Sequence, residues 1–172
     1  MSLLEKKLRI AIVGSEGKYW TPEERTKAIA EIVKIFRKHA TNYNDGNVPE
    51  FDYNMTLISG GCGYENTKKR AYIPPGIDEW AEIVADVLGI KKDIRYAPAG
   101  QWNDKLDVIY ETDRGNLEEN LKGYRTRNTE IAEMCDILYC IDPKWRGEKT
   151  GGQWTMRYAQ KARKEVHLVQ IE

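Results

Sequence analysis

Three short apolar runs constrain this chain more than any other feature: "LRIAIVGS" (Leu8–Ser15), "MTLISGG" (Met55–Gly61) and "DILYCID" (Asp136–Asp142). They are too short for ordinary helices and rich in Ile, Leu and Val. They lack the polar–apolar alternation of a strand with one wet face. Such runs read as strands buried on both faces, the pattern of a parallel sheet covered by helices. "DIRYAPA" (Asp93–Ala99) and "EVHLVQI" (Glu165–Ile171) read as two further strands.

Helical signals fall between the strands. In "TPEE" Thr21 is placed to cap a helix, Pro22 suits its first turn, and Glu24 completes a capping box. Ile29, Ile32, Val33 and Phe36 then recur at helical spacing, predicting a helix from Pro22 to about His39. "GIDEWAEIVADVLGI" predicts a second helix, with Trp80, Val84, Val87 and Leu88 as its apolar face and Gly89 as its stop. "RNTEIAEMC" and "GGQWTMRYAQKARK" predict two more. "TNYNDGNVPEFD" reads as a polar loop. The stretch from about Gly100 to Tyr124 has no strong period, and Leu106–Tyr110 within it reads as an extra strand. Strands alternating with helices imply an α/β fold: a Rossmann-like three-layer sandwich, with a mostly parallel sheet and helices on both faces. The 172 residues, without repeat or linker, fit one domain spanning 1–172.

Composition removes several function classes. Lys plus Arg is 27 and Asp plus Glu is 27, so the basic excess expected of a protein gripping many phosphates of a nucleic acid is absent. No apolar run approaches the ~20 residues of a membrane span, and "MSLLEKKLRI" has no signal-peptide core. Cys62, Cys135 and Cys140 show no CxxC spacing, and His39 and His167 lie far apart in sequence, which predicts no metal site. These features predict a cytoplasmic protein with no membrane partner and no required cofactor.

In open parallel sheets ligands bind beyond the carboxyl ends of the strands. The segments there, "GSEGKYW", "GGCGYENTKKR", "PAGQW" and "PKWRGEKTGGQWT", are rich in glycine, Trp and basic residues. Gly60, Gly61 and Gly63 lead into Lys68, Lys69 and Arg70, and glycine amides before a helix can cradle a phosphate. Neither GxxxxGK[ST] nor GxGxxG is present, and a plain strand-to-helix turn explains the same glycines. In "GYRTRN" Arg127 offers a planar fork to phosphate or carboxylate, while Asn128 suits a helix N-cap. In "TGGQWT" Gly151, Gly152 and Thr155 can bind an anion at a helix start, and Trp154 can stack on a base or fill the core. Asp78 and Glu79 suit the dipole of the helix they open, and either can face a ligand.

Taken in order, "IAIVGS", "LISGG", "GIDEWAEIVADVLGI", "YAP", "GYRTRN", "DILYCID", "GGQWTMRYA" and "VHLVQI" resemble the SLOG superfamily of Rossmann-like domains. That group includes the Lonely Guy (LOG) proteins, the YpsA-like proteins and the DNA-processing protein A domain, and the YpsA-like branch is the most similar. In this comparison Cys62 to Pro75 forms an insertion. The resemblance implies a nucleotide or nucleotide-derived ligand lined by Gly14, Ser15, Gly60, Gly61, Arg127, Asn128, Gly151, Gly152, Trp154 and Thr155. Arg127 and the glycine amides would take phosphate, Thr155 would add a hydroxyl donor, and Trp154 or Trp102 would stack on the base. LOG proteins hydrolyse the N-glycosidic bond of nucleoside 5′-monophosphates, and their catalytic Glu falls here on Tyr158. LOG-type turnover would then need Arg127 with a carboxylate from Asp78, Glu79 or Glu65. A single-stranded DNA-binding module is a further alternative that the balanced charge disfavours. The resemblance also implies a homodimer.

Overall fold

The computed structural model of the chain describes residues 7–43, 50–60, 76–95 and 127–172. The first apolar run forms β1 (Leu8–Gly14), and its alternation shows why it is apolar throughout. Ile10 and Ile12 enter one core, Ala11 and Val13 another. A strand with helices on both sides has no face left for water.

Around β1 the chain builds a five-stranded, wholly parallel sheet from β4 (Met55–Ser59), β5 (Lys91–Ile94), β6 (Ile137–Pro143) and β7 (Glu165–Ile171), in the order β5-β4-β1-β6-β7. α1 (Pro22–His39) and α2 (Ile77–Leu88) pack on the Ile10/Ile12 face through Ala28, Ile32, Phe36, Ile77, Trp80 and Ala81. Residues 127–134 form α3, and α4 spans Gly151–Lys161. Ile131 and Ala132 of α3 and Ala159 of α4 cover the opposite face. The three-layer, Rossmann-like expectation is met.

The helix boundaries follow the capping chemistry. Glu24 N donates to Thr21 Oγ1 at 3.2 Å, and Thr21 N donates to Glu24 Oε1 at 3.1 Å, so both halves of the capping box close. α2 ends at Gly89, whose φ of 73° is the left-handed conformation glycine tolerates.

Several expectations need correction. The expected loop after α1 contains a ribbon: β2 (Thr41–Tyr43) pairs antiparallel with β3 (Glu50–Asp52). β5 begins at Lys91, two residues before the expected start, because it is an edge strand whose lysines face water rather than a core. Val87 is 80% exposed, not part of the apolar face of α2. That face runs through Ile77, Trp80, Ala81, Val84 and Ala85, and Val87 projects away from it. The expected Leu106–Tyr110 strand and most of the expected Asp93–Ala99 strand lie outside the described residues. Among the described residues no helix is long and apolar enough to cross a membrane.

The topology places the site. From β1 the chain goes outward to β4 and β5, then crosses back to β6 and β7 on the other side of β1. The order therefore reverses between β1 and β6. Where two crossovers leave in opposite directions, a crevice opens above the carboxyl ends of the two strands.

Candidate functional site

The floor of that crevice is a buried carboxylate. Asp142, near the end of β6, is 0% exposed. Ser15 Oγ donates to its Oδ1 at 2.6 Å, while Thr150 Oγ1 and Gln153 Nε2 donate to its Oδ2 at 2.6 and 2.9 Å. Cys140 Sγ lies 3.5 Å from the same oxygen. A buried carboxylate is tolerated only when its oxygens are answered by donors, and here they come from the residue that follows β1, the β6–α4 loop and α4. Asp142 thus pins together the elements that form the crevice.

A cationic and aromatic rim stands over this floor. Arg146 Nη1 donates to Ser15 Oγ at 2.8 Å, and its guanidinium lies 3.4 Å from the centroid of the Tyr19 ring. Among the described residues no carboxylate stands within ion-pair distance of Arg146. Trp145 is 64% exposed and touches Tyr19, with ring centroids 6.3 Å apart. Beside them α4 begins. Thr150 caps it, accepting from Gln153 N at 3.1 Å, and the amides of Gly151 and Gly152 precede the first bonded turn.

The predicted glycines divide into packing positions and one open position. A Cβ on Gly14 would collide with the Ile141 carbonyl and stand 2.6 Å from Ile77 Cγ1. One on Gly152 would stand 3.0 Å from Cys140 Sγ and 3.1 Å from Gly14 Cα, so α4 approaches β1 glycine to glycine. One on Gly151 would meet nothing within 4 Å.

A second cluster lies beyond β4. Arg127 Nη1 donates to the Gly60 carbonyl at 2.7 Å, and its Nε donates to Asn128 Oδ1 at 2.9 Å. A Cβ on Gly60 would stand 2.5 Å from Arg127 Nη1 and 2.8 Å from Asp78 Oδ2. Arg127 and Asp78 therefore converge over Gly60, and Glu79 occupies the same first turn of α2. Asn128 lies within α3 and serves Arg127, which corrects its reading as the N-cap. Ser15 links the two clusters, because its carbonyl accepts from Ile77 N at 3.3 Å and Trp20 Nε1 at 3.0 Å while its hydroxyl reaches Asp142.

Two predicted residues turn elsewhere. Thr155 is 1% exposed and its hydroxyl donates to the Gly151 carbonyl at 3.1 Å, so its proton is directed into the helix. Trp154 stacks on Tyr158 one turn along α4, at 5.9 Å and 21°. The Tyr158 hydroxyl in turn donates to Glu133 Oε1 at 3.1 Å. Gly61, Glu65, Trp102 and the 62–75 segment lie outside the described residues. The sequence reading did not single out Tyr19, Asp142, Trp145, Arg146, Thr150 or Gln153. Five of the six lie in the segments already noted as rich in glycine, Trp and basic residues, and Asp142 ends the strand before one of them.

Cys135 and Cys140 are core thiols. Burial pushes Cys135 up to about 11 and Cys140 well above the usual thiol range, so neither supplies a thiolate near neutral pH. The two histidines, distant in sequence, meet on either side of Tyr139: His39 Nε2 shares a hydrogen bond with its hydroxyl at 2.6 Å, and His167 stacks on its ring at 4.9 Å. Among the described residues no group of three or more His, Cys, Asp or Glu is arranged to hold a metal ion. Compared with protein-family models, curated proteins and solved structures, the chain matches none.

Proposed function

We propose that the protein binds a nucleotide or nucleotide-derived small molecule at the carboxyl edge of the sheet, in the crevice between β1 and β6. The observation that carries this reading is the rim of that crevice, where Arg146 is bonded to Ser15 and Thr150 caps α4, both hydroxyls being held on Asp142. Arg146 is held by Ser15 and Tyr19 rather than by a carboxylate of the described chain. A guanidinium so fixed loses little freedom on meeting a phosphate, and a helix start adds amide donors and partial positive charge. The order of the sequence motifs, with its resemblance to SLOG domains, supports the same reading.

The test is thermal unfolding with AMP, ADP-ribose, NAD and a cyclic nucleotide. A ligand at ~100 times its dissociation constant stabilises the fold by roughly 2.7 kcal/mol, a rise of several degrees for a chain of this size. A rise with one of these classes is the expected result, and no rise with any of them overturns the reading.

The convergence of Asp78 and Arg127 over Gly60 favours a second reading, a nucleotide N-glycosidase. A carboxylate can stabilise the oxocarbenium-like charge while Arg127 holds phosphate. On this reading free base is released from nucleoside monophosphates, and Asp78→Asn abolishes release while leaving binding largely intact. Release that persists in Asp78→Asn excludes that role for Asp78.

A further inference from the structure

Trp145 sits oddly for its size. Trp20 and Trp80 pack edge to face at 5.6 Å, and Trp154 is half-buried against Tyr158, but Trp145 is 64% exposed. It meets Tyr19 only at a tilt of 54°, which leaves an indole face in water. An exposed aromatic face gives up the hydrophobic gain of burial.

Its position supplies the reason. Trp145 is the middle residue of the 3-10 turn Lys144–Arg146, directly after β6 at the point where the strand order reverses. Its neighbour Arg146 is fixed twice, by stacking on Tyr19 at 3.4 Å and by donating one N–H to Ser15 Oγ. A guanidinium carries five N–H donors, so most of the fork remains for another acceptor. Ser15 is itself tied to Asp142, so the cation is referred to the most deeply anchored group of the crevice. One short turn therefore presents an aromatic plane and a rigid cation side by side. A bare phosphate would use the cation and the α4 amides and have no use for the indole. A molecule with a planar base one sugar away from a phosphate uses both.

We infer that Trp145 and Arg146 form one two-part subsite, in which the Trp145 indole receives the base and the Arg146 guanidinium the adjoining phosphate. This assignment rests on the nucleotide-binding reading above and names the residues that would make the ligand a nucleotide rather than a sugar phosphate.

Calorimetric titration of AMP and of ribose 5-phosphate into the wild-type chain, Trp145→Ala, Trp145→Phe and Arg146→Ala tests it. Base–aromatic stacking predicts a roughly 5- to 150-fold loss of AMP affinity in Trp145→Ala. Ribose 5-phosphate affinity should stay unchanged there, and Trp145→Phe should recover much of the AMP affinity. Arg146→Ala should weaken both ligands. An exposed side chain leaves the fold intact when truncated, so an unchanged melting temperature shows that Trp145→Ala reports on binding. Equal AMP affinity in the wild-type chain and Trp145→Ala overturns the subsite while leaving the nucleotide reading standing. Failure of the wild-type chain to bind any nucleotide of the panel removes both.

Discussion

A carboxylate that water does not reach must find its donors within the protein, and Asp142 finds them on three elements. Asp142→Asn keeps the volume but halves the acceptors and points an NH2 group at donors. Charge-assisted hydrogen bonds contribute about 1.5–3 kcal/mol each, and the partners can re-orient only in part. The expected loss is about 2–4 kcal/mol in urea unfolding, and a change below about 0.5 kcal/mol would show that Asp142 does not pin the crevice. The glycines give a paired prediction. Gly14→Ala should destabilise strongly, because its Cβ has no room against Ile141 and Ile77. Gly151→Ala should be neutral or stabilising by up to about 1 kcal/mol, because the space is open and alanine suits a helix. If Gly151→Ala also weakens nucleotide binding, its missing side chain serves close approach of the ligand. Which glycines were packed and which open could not be read from the sequence, since "GG" is written the same way whether the neighbour is Cys140 or solvent. The Arg127–Gly60 contact was equally hidden, because it joins residues far apart in sequence.

Elements were legible where their ends carry local chemistry. α1 starts and stops as the capping box and periodicity require, and Gly89 ends α2 by its φ. Edge elements were poorly legible: β5 carries lysines outward, and β2 and β3 are three-residue strands paired with each other. At this scale the most informative side chain is Thr150, which caps α4 and donates to Asp142 at once. Loss of an N-cap costs about 1 kcal/mol, and the vacated bond to a buried carboxylate adds to that. Thr150→Ala should therefore cost clearly more than the ~1 kcal/mol of capping alone, whereas Thr150→Ser, which keeps the hydroxyl, should cost little. Chemical denaturation of the pair checks this. If Thr150→Ala costs no more than Thr21→Ala, whose oxygen serves α1 alone, then the bond to Asp142 contributes nothing measurable.

On the scale of the whole molecule, α1, β6 and the edge strand β7 are joined by the Tyr139 cluster, a contact between elements that sequence distance concealed. His39 at the end of α1 bonds the Tyr139 hydroxyl, Tyr139 stacks on His167 of β7, and His167 lies 2.8 Å from Glu165. The titratable groups facing His39 are Lys38 on its own helix and Glu165 and His167 on β7. Burial, then Lys38, holds the His39 imidazole below its ordinary value of 6.5. Above 6.5 the ring is neutral whether the chain is folded or not, and its contribution is complete. As the pH falls through 6.5 the unfolded chain takes up its proton first, and stability declines until the folded ring is protonated as well. Glu165 acts lower down. The hydrogen bond from His167 depresses its carboxyl below 4.5, so its contribution is present above that value and fades as the pH drops past it. Both groups lose stability toward acid, His39 from 6.5 downward and Glu165 from 4.5 downward. Urea midpoints measured at about pH 7.5, 6 and 5 should therefore fall in the wild-type chain and fall less in His39→Gln, which keeps a hydrogen-bonding partner for Tyr139 and cannot titrate. The two chains should lose stability in parallel only once the folded ring is protonated as well, where the carboxylates alone still titrate. Parallel curves across the upper range would mean that His39 gains its proton as easily in the fold as outside it, and that the junction between α1 and β6 is indifferent to charge.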